Sequence, residues 1–172
     1  MRAATADEEQ AVLGFFEGVE TGLSARVLGR HALAVVERDG IPFAVAVTPE
    51  LLALPDDLRD GAASAGLVLG TLEDGFHLDL QGAVLMSRHT KSQTLRLTEH
   101  ASRLVLYGRN VLGDSILWAD RGLERGDACI VCNARGEALA LGRVVGALKG
   151  PREAVQPIHD LGTYLRDQDE GT

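Results

Sequence analysis

The chain has 172 residues, 45% of them hydrophobic, and a formal net charge of -8 at pH 7, enough to bury a full core in one domain or two small ones. Residues 2–30 carry Asp7, Glu8, Glu9, Glu17 and Glu20 among their apolar positions, and no window approaches the ~20 uninterrupted apolar residues of a membrane helix, so a cytoplasmic protein without membrane partners is expected. The only cysteines, Cys129 and Cys132, are too few for a disulfide framework.

In chain order, Thr5 and Glu8 have the spacing of a capping box, and Val12, Phe15, Phe16 and Val19 recur at helical intervals. A helix is predicted over residues 6–19, with Gly22 ending it. "HALAVVERDGIPFAVAV" reads as two apolar strands joined by a tight turn at Asp39-Gly40. Thr48-Pro49-Glu50 opens a short helix, because proline at the first helical position sacrifices no hydrogen bond. A polar, Gly/Ala-rich passage follows through Gly66. "LVLGTLEDGFHLDL" repeats the strand, Asp-Gly turn, strand arrangement, with Phe76, Leu78 and Leu80 alternating against His77 and Asp79.

"SRHTKSQ", residues 87–93, is the most polar run before the C-terminal tail and the best linker candidate. Charge changes there too: residues 1–90 carry 6 basic and 14 acidic side chains, residues 91–172 carry 11 of each. A boundary near residue 92 is expected, giving domains of residues 1–91 and 92–172, of which only the second could approach a polyanion without strong repulsion. Short strands are predicted over residues 94–98, 115–119, 128–133 and 138–148, with turns at Asp114, Gly126-Asp127 and Arg135-Gly136, a spacing that suggests a small barrel. Between the first two, Arg103 to Leu112 is too apolar for a loop and reads as one or two helical turns broken at Gly108. The fold class is therefore α+β: an N-terminal α/β domain with an antiparallel sheet, then a small β-barrel.

Chemistry has few candidates. "CIVC" has thiol-exchange or zinc spacing, but zinc would need two further ligands, and the five histidines form no closely spaced pair. The flanking pattern is that of a strand, where side chains three apart point to opposite faces, so Cys129 and Cys132 are read as small buried hydrophobes. Glu73, Asp74, His77 and Asp79 could be imagined as a metal cluster, yet a solvated hairpin accounts for them. His159-Asp160 could be an acid/base pair, but Asp160 also suits the N-cap of a helix over residues 161–165. No nucleophile elbow, His-Glu-x-x-His or phosphate-binding loop occurs, and no cofactor or small-molecule substrate is expected. Arginine supplies 15 of the 17 basic side chains, which suits phosphate contacts but also follows from a GC-rich genome. In the second half Arg103, Arg109, Arg143, Lys149 and Arg152 could form a patch on a strand and an adjacent loop.

"LYGRNVLG" at residues 106–113, with "GDACIVCNARGEALALGRVVG" after it, resembles the PUA domain, a small RNA-binding barrel whose first strand precedes a short helix with a glycine break. "MRAATADEE", "IPFAVAVTPELLAL", "LVLGTLEDGFHLDL" and the closing "HDLGTYLRDQDE" extend the resemblance over nearly the whole chain, to the Nip-seven family of ribosome-biogenesis proteins. That resemblance implies an N-terminal α/β domain joined to a C-terminal PUA domain, a non-catalytic role in assembling the large ribosomal subunit, and RNA, in particular rRNA, and ribosome-assembly proteins as partners. It implies a core position for Tyr107, a tight turn or close approach at Gly108, and RNA contact at Arg109, Arg143, Lys149 and Arg152. So few cations predict weak, strongly salt-dependent binding. The competing readings are a protein-only adaptor that has lost RNA contact, and a thiol or metal protein using Cys129 and Cys132.

Overall fold

The computed structural model describes residues 1–55, 58 and 66–163, and the chain divides into two compact units, Met1–His89 and Thr90–Thr172. The polar passage expected through Gly66 lies largely outside the described residues.

The first unit opens with β1 (Arg2–Ala3) and α1 (Ala6–Val19). The capping box forms as the spacing predicts: Thr5 Oγ1 accepts from the Glu8 N–H, and the Glu8 carboxylate accepts from the Thr5 N–H at 2.8 Å. Gly22 does not end this helix. It takes a φ of +75° immediately before a second helix, α2 (Leu23–Leu28), which the sequence reading lacked. Strands β2 (Ala32–Arg38) and β3 (Ile41–Val47) pair in full register across a turn in which Asp39 and Gly40 both have positive φ. After α3 (Pro49–Leu52) come β4 (Leu67–Thr71), β5 (His77–Leu78) and α4 (Leu80–Ser87). The five strands form one antiparallel sheet in sequence order.

Ala34, Val36, Val45, Val47 and Val68 cluster on one face of this sheet against Met1, Leu51 and Leu52. Leu33, Val35, Ala44 and Ala46, which alternate with them, are buried as well. Burial on both faces explains why these strands read as continuous apolar runs. The strand expected over residues 76–80 is only His77–Leu78, because Asp79 accepts from the Leu80 N–H at 2.6 Å and starts α4. Leu80, Ala83 and Met86 then form that helix's buried stripe. Gly82 lets it lie directly on β4: a Cβ there would come 2.1 Å from the Leu69 carbonyl oxygen.

The second unit contains β6 (Thr94–Leu97), α5 (Glu99–Val105), β7 (Val111–Leu112), a 3-10 turn (Gly113–Ser115), β8 (Ile116–Ala119), β9 (Ala128–Cys132), β10 (Ala138–Val144) and β11 (Glu153–Asp160). They form a nearly closed barrel in the order β7-β11-β10-β9-β6-β8, antiparallel except for the parallel β6–β9 pair. Leu95, Leu97, Val105, Val111, Val131, Ala140 and Val155 fill its centre. The strand expected over residues 138–148 stops at Val144, and β11 was not expected. Pro157 disguises it, since proline inside a strand is tolerated at an irregularity, and the β10–β11 register shifts beside it between Leu141 and Gly142. Asp160 closes β11 opposite Ala140 and is buried, Leu161 and Gly162 form a turn, and residues 164 and 165 of the expected helix lie outside the described residues.

Candidate nucleic-acid interface

The Leu106–Gly113 stretch turns a helix into a barrel edge. Thr98 caps α5 by accepting from the Ala101 N–H. At the other end the Gly108 N–H donates to the Val105 carbonyl at 2.8 Å and the Arg109 N–H to the Leu104 carbonyl at 3.1 Å. That pair of bonds requires a left-handed residue, and Gly108 supplies it with a φ of +71°. Ala101, Ser102 and Val105 are the buried side of α5. Tyr107 falls four residues after Arg103 on the opposite side, so it is 71% exposed rather than part of the core.

From there β7 pairs with β11, Val111 opposite Val155, and the 3-10 turn anchors the loop between β10 and β11. The Gly113 N–H donates to the Arg152 carbonyl at 3.0 Å and the Asp114 N–H to the Gly150 carbonyl at 2.8 Å. This loop carries Lys149 and Arg152, both exposed. The two line a depression of about 420 Å³ together with Arg125, whose place just ahead of the Gly126-Asp127 turn was not weighed in the sequence. Arg125 and Lys149 continue into an adjoining depression of about 570 Å³ floored by Leu123, Val144 and Leu148. Neither Arg125, Lys149 nor Arg152 makes a side-chain hydrogen bond or ion pair among the described residues. Glu153 is the acid that shares the smaller depression.

Arg143 projects from β10 and donates to the Gly126 carbonyl at 2.9 Å, so it holds the turn that presents Arg125. Arg109 stands apart. It precedes Val111, whereas Arg152 lies next to the far end of β7, beside Leu112 and Gly113. Arg103 lines a different depression, of about 330 Å³, with Arg135 and Asn133. Sequence reasoning thus named Lys149 and Arg152, which share a groove, and missed Arg125, whose only signal was a turn.

The cysteines show no reactive character. Cys129 packs in the barrel core and Cys132 is buried on β9 opposite Arg96. Burial pushes the Cys129 thiol up to about 12 and the Cys132 thiol up to about 11, the Arg96 charge partly offsetting the latter. Among the described residues, no three His, Cys, Asp or Glu side chains are placed to share a metal ion, and no helix is long and apolar enough to cross a membrane.

Residues 93–169 match the family model of the UPF0113 PUA domain. A UPF0113 protein of Aeropyrum pernix is 31% identical over 177 residues, covering 96% of this chain and 91% of that protein. The fold is shared with a conserved PUA domain protein from Thermoplasma acidophilum, at 14% identity and a TM-score of 0.65 over 97% of each chain. A hypothetical protein from Pyrococcus horikoshii gives a TM-score of 0.66 at 16% identity, over 92% of this chain and 93% of that one. With this identity carried along nearly its full length, and the family model matched over residues 93–169, the chain belongs to the UPF0113 family and its second unit carries that family's PUA domain.

Proposed function

We propose that this protein is a non-catalytic, cytoplasmic RNA-binding factor that acts in assembly of the large ribosomal subunit. Residues 92–172 contact rRNA, and residues 1–91, with their acidic surplus, contact assembly proteins. The observation that carries the reading is the groove on the PUA domain lined by Arg125, Lys149 and Arg152, whose charged groups have no partner among the described residues. Arginine and lysine exposed on concave walls are the elements that neutralise backbone phosphates. Arg143 supports the groove through the Gly126 carbonyl, and Arg109 extends contact along the β7 edge.

The test is filter binding of structured rRNA fragments at two salt concentrations, with the wild type and an R143A/K149A/R152A variant. Salt-dependent binding lost in the variant is expected. Absence of salt-dependent binding, or full retention by the variant, overturns the RNA reading in favour of a protein-only adaptor. Recovery of the protein on a pre-ribosomal particle tests the assembly role separately.

A further inference from the structure

Away from that groove, the outer side of β6 and β8 displays a second feature. β8 is an end strand of the sheet, paired with β6 alone. Arg96 lies opposite Trp118 and Leu97 opposite Ile116, so the register shifts there and Leu117 has no partner residue on β6. An extra residue of this kind re-aims the side chains around it. Here it leaves two large apolar neighbours in solvent, Leu117 at 60% exposure and Trp118 at 41%.

The surroundings of Trp118 are basic and planar. The Arg96 guanidinium carbon lies 5.9 Å from the Trp118 ring centroid, within cation–π range. The same guanidinium rests against the Arg135-Gly136 turn, where a Cβ on Gly136 would meet it at 3.1 Å. Arg96 is therefore held between the indole and a backbone turn. Two acids next to these elements in sequence are already engaged: Asp120, after β8, accepts from the Gln93 and Gly122 N–H groups, and Glu137, before β10, accepts from the Asn133 side-chain amide. Arg121 and Arg135 are exposed and without side-chain partners among the described residues.

We infer that Trp118 and Arg96 form a stacking platform for an unpaired RNA base, a second contact point separate from the Lys149 groove. Two exposed apolar side chains are far too little for a protein partner, which needs roughly 800 Å² and about 20–30 residues a side. A base needs one aromatic or guanidinium face, and unpaired bases are held on such faces with nearby cations taking the phosphates. The ligand is thus single-stranded, and the platform tolerates different bases because each has a π-face.

This inference rests on the RNA-binding reading, and the test separates the two. Trp118 is the chain's only tryptophan, so its emission reports the platform alone. A labelled single-stranded oligouridine and an oligoadenosine are titrated into the full chain, with oligonucleotide anisotropy and tryptophan emission followed together. Quenching that saturates in step with binding, with affinity lowered roughly 5- to 150-fold by W118A and largely retained by W118F, is the expected result. Anisotropy showing binding with emission unchanged overturns the platform and leaves the Lys149 groove standing. Binding unchanged in W118A does the same, and a thermal melt of the variant confirms that it is folded. No binding of either oligonucleotide or of structured rRNA overturns both readings. Emission that responds to a co-purifying protein but not to RNA overturns the platform in favour of protein docking.

Discussion

Gly113 lies directly beneath the Lys149 backbone: a Cβ on Gly113 would stand 2.6 Å from the Lys149 carbonyl carbon and 2.8 Å from the Gly150 oxygen. The β10–β11 loop rests on this contact and on the two backbone hydrogen bonds beside it. G113A must push the loop away, and overpacking of this kind costs about 1–3 kcal/mol. Urea melts should show that loss. RNA affinity measured where the variant remains folded should also fall, because Lys149 and Arg152 move with the loop. Unchanged affinity despite lower stability would remove the loop from the RNA interface.

Arg125 gives a sharper test of the groove than the residues legible in the sequence. Each phosphate contact to a single strand contributes about -0.7 to the slope of log affinity against log salt. R125A should therefore make the slope shallower by about that amount while leaving the melting curve of the protein unchanged. R143A should weaken binding through a different route, since its guanidinium holds the Gly126 carbonyl. Restoration of affinity by R143Q, whose neutral amide can still donate to that carbonyl, would support the positioning role; failure of R143Q with restoration by R143K would show that the charge matters.

The contrast between Arg125 and Lys149 shows what the sequence could reveal. Local signals survived well. The Thr5–Glu8 box placed α1, and the Asp39-Gly40 pair placed its hairpin. Elements set by tertiary contact did not survive: α4 depends on Gly82 lying against β4, and β11 hides behind Pro157 and a register shift. Tyr107 was misplaced because the direction of a side chain in the turn that ends α5 follows from which stripe of that helix the barrel covers, and the segment alone does not specify that. Arg125 was invisible for a similar reason. Its proximity to Lys149 depends on the turn before β9 packing beside the end of β10, where the Gly126 N–H meets the Val144 carbonyl at 2.8 Å.

Buried thiols make a pH prediction with a defined sign. Both folded-state values lie above the usual thiol value of about 8.5. Below about pH 8.5 both states keep the proton and stability is unaffected. Above it the unfolded chain releases protons that the folded barrel retains, so stability falls as pH rises toward about 11 and 12. Denaturant midpoints measured from about pH 7 to about pH 10 should decline less in a C129A/C132A variant than in the wild type. Alkylation of the native protein near neutral pH should be slow, and unfolding should release both thiols; fast labelling of the folded protein would contradict the burial.

Glu8 predicts the opposite slope at the acid end. Its carboxylate accepts from both Arg2 terminal nitrogens, at 2.6 and 2.7 Å, and from the Thr5 backbone, which holds its pKa near 2. Between that value and the ordinary carboxylate value of about 4.3 the unfolded chain binds more protons than the folded one. The contribution is complete above about pH 4.3 and disappears as pH falls toward 2. Arg2 is 54% exposed, so salt screens part of it. T5A, which removes the cap, should cost about 1 kcal/mol, whereas E8Q should cost stability near neutral pH and progressively less on acidification. A constant difference between wild type and E8Q down to about pH 2 would place the stabilisation in the shape of the capping box, with no share from the Arg2–Glu8 charge pair.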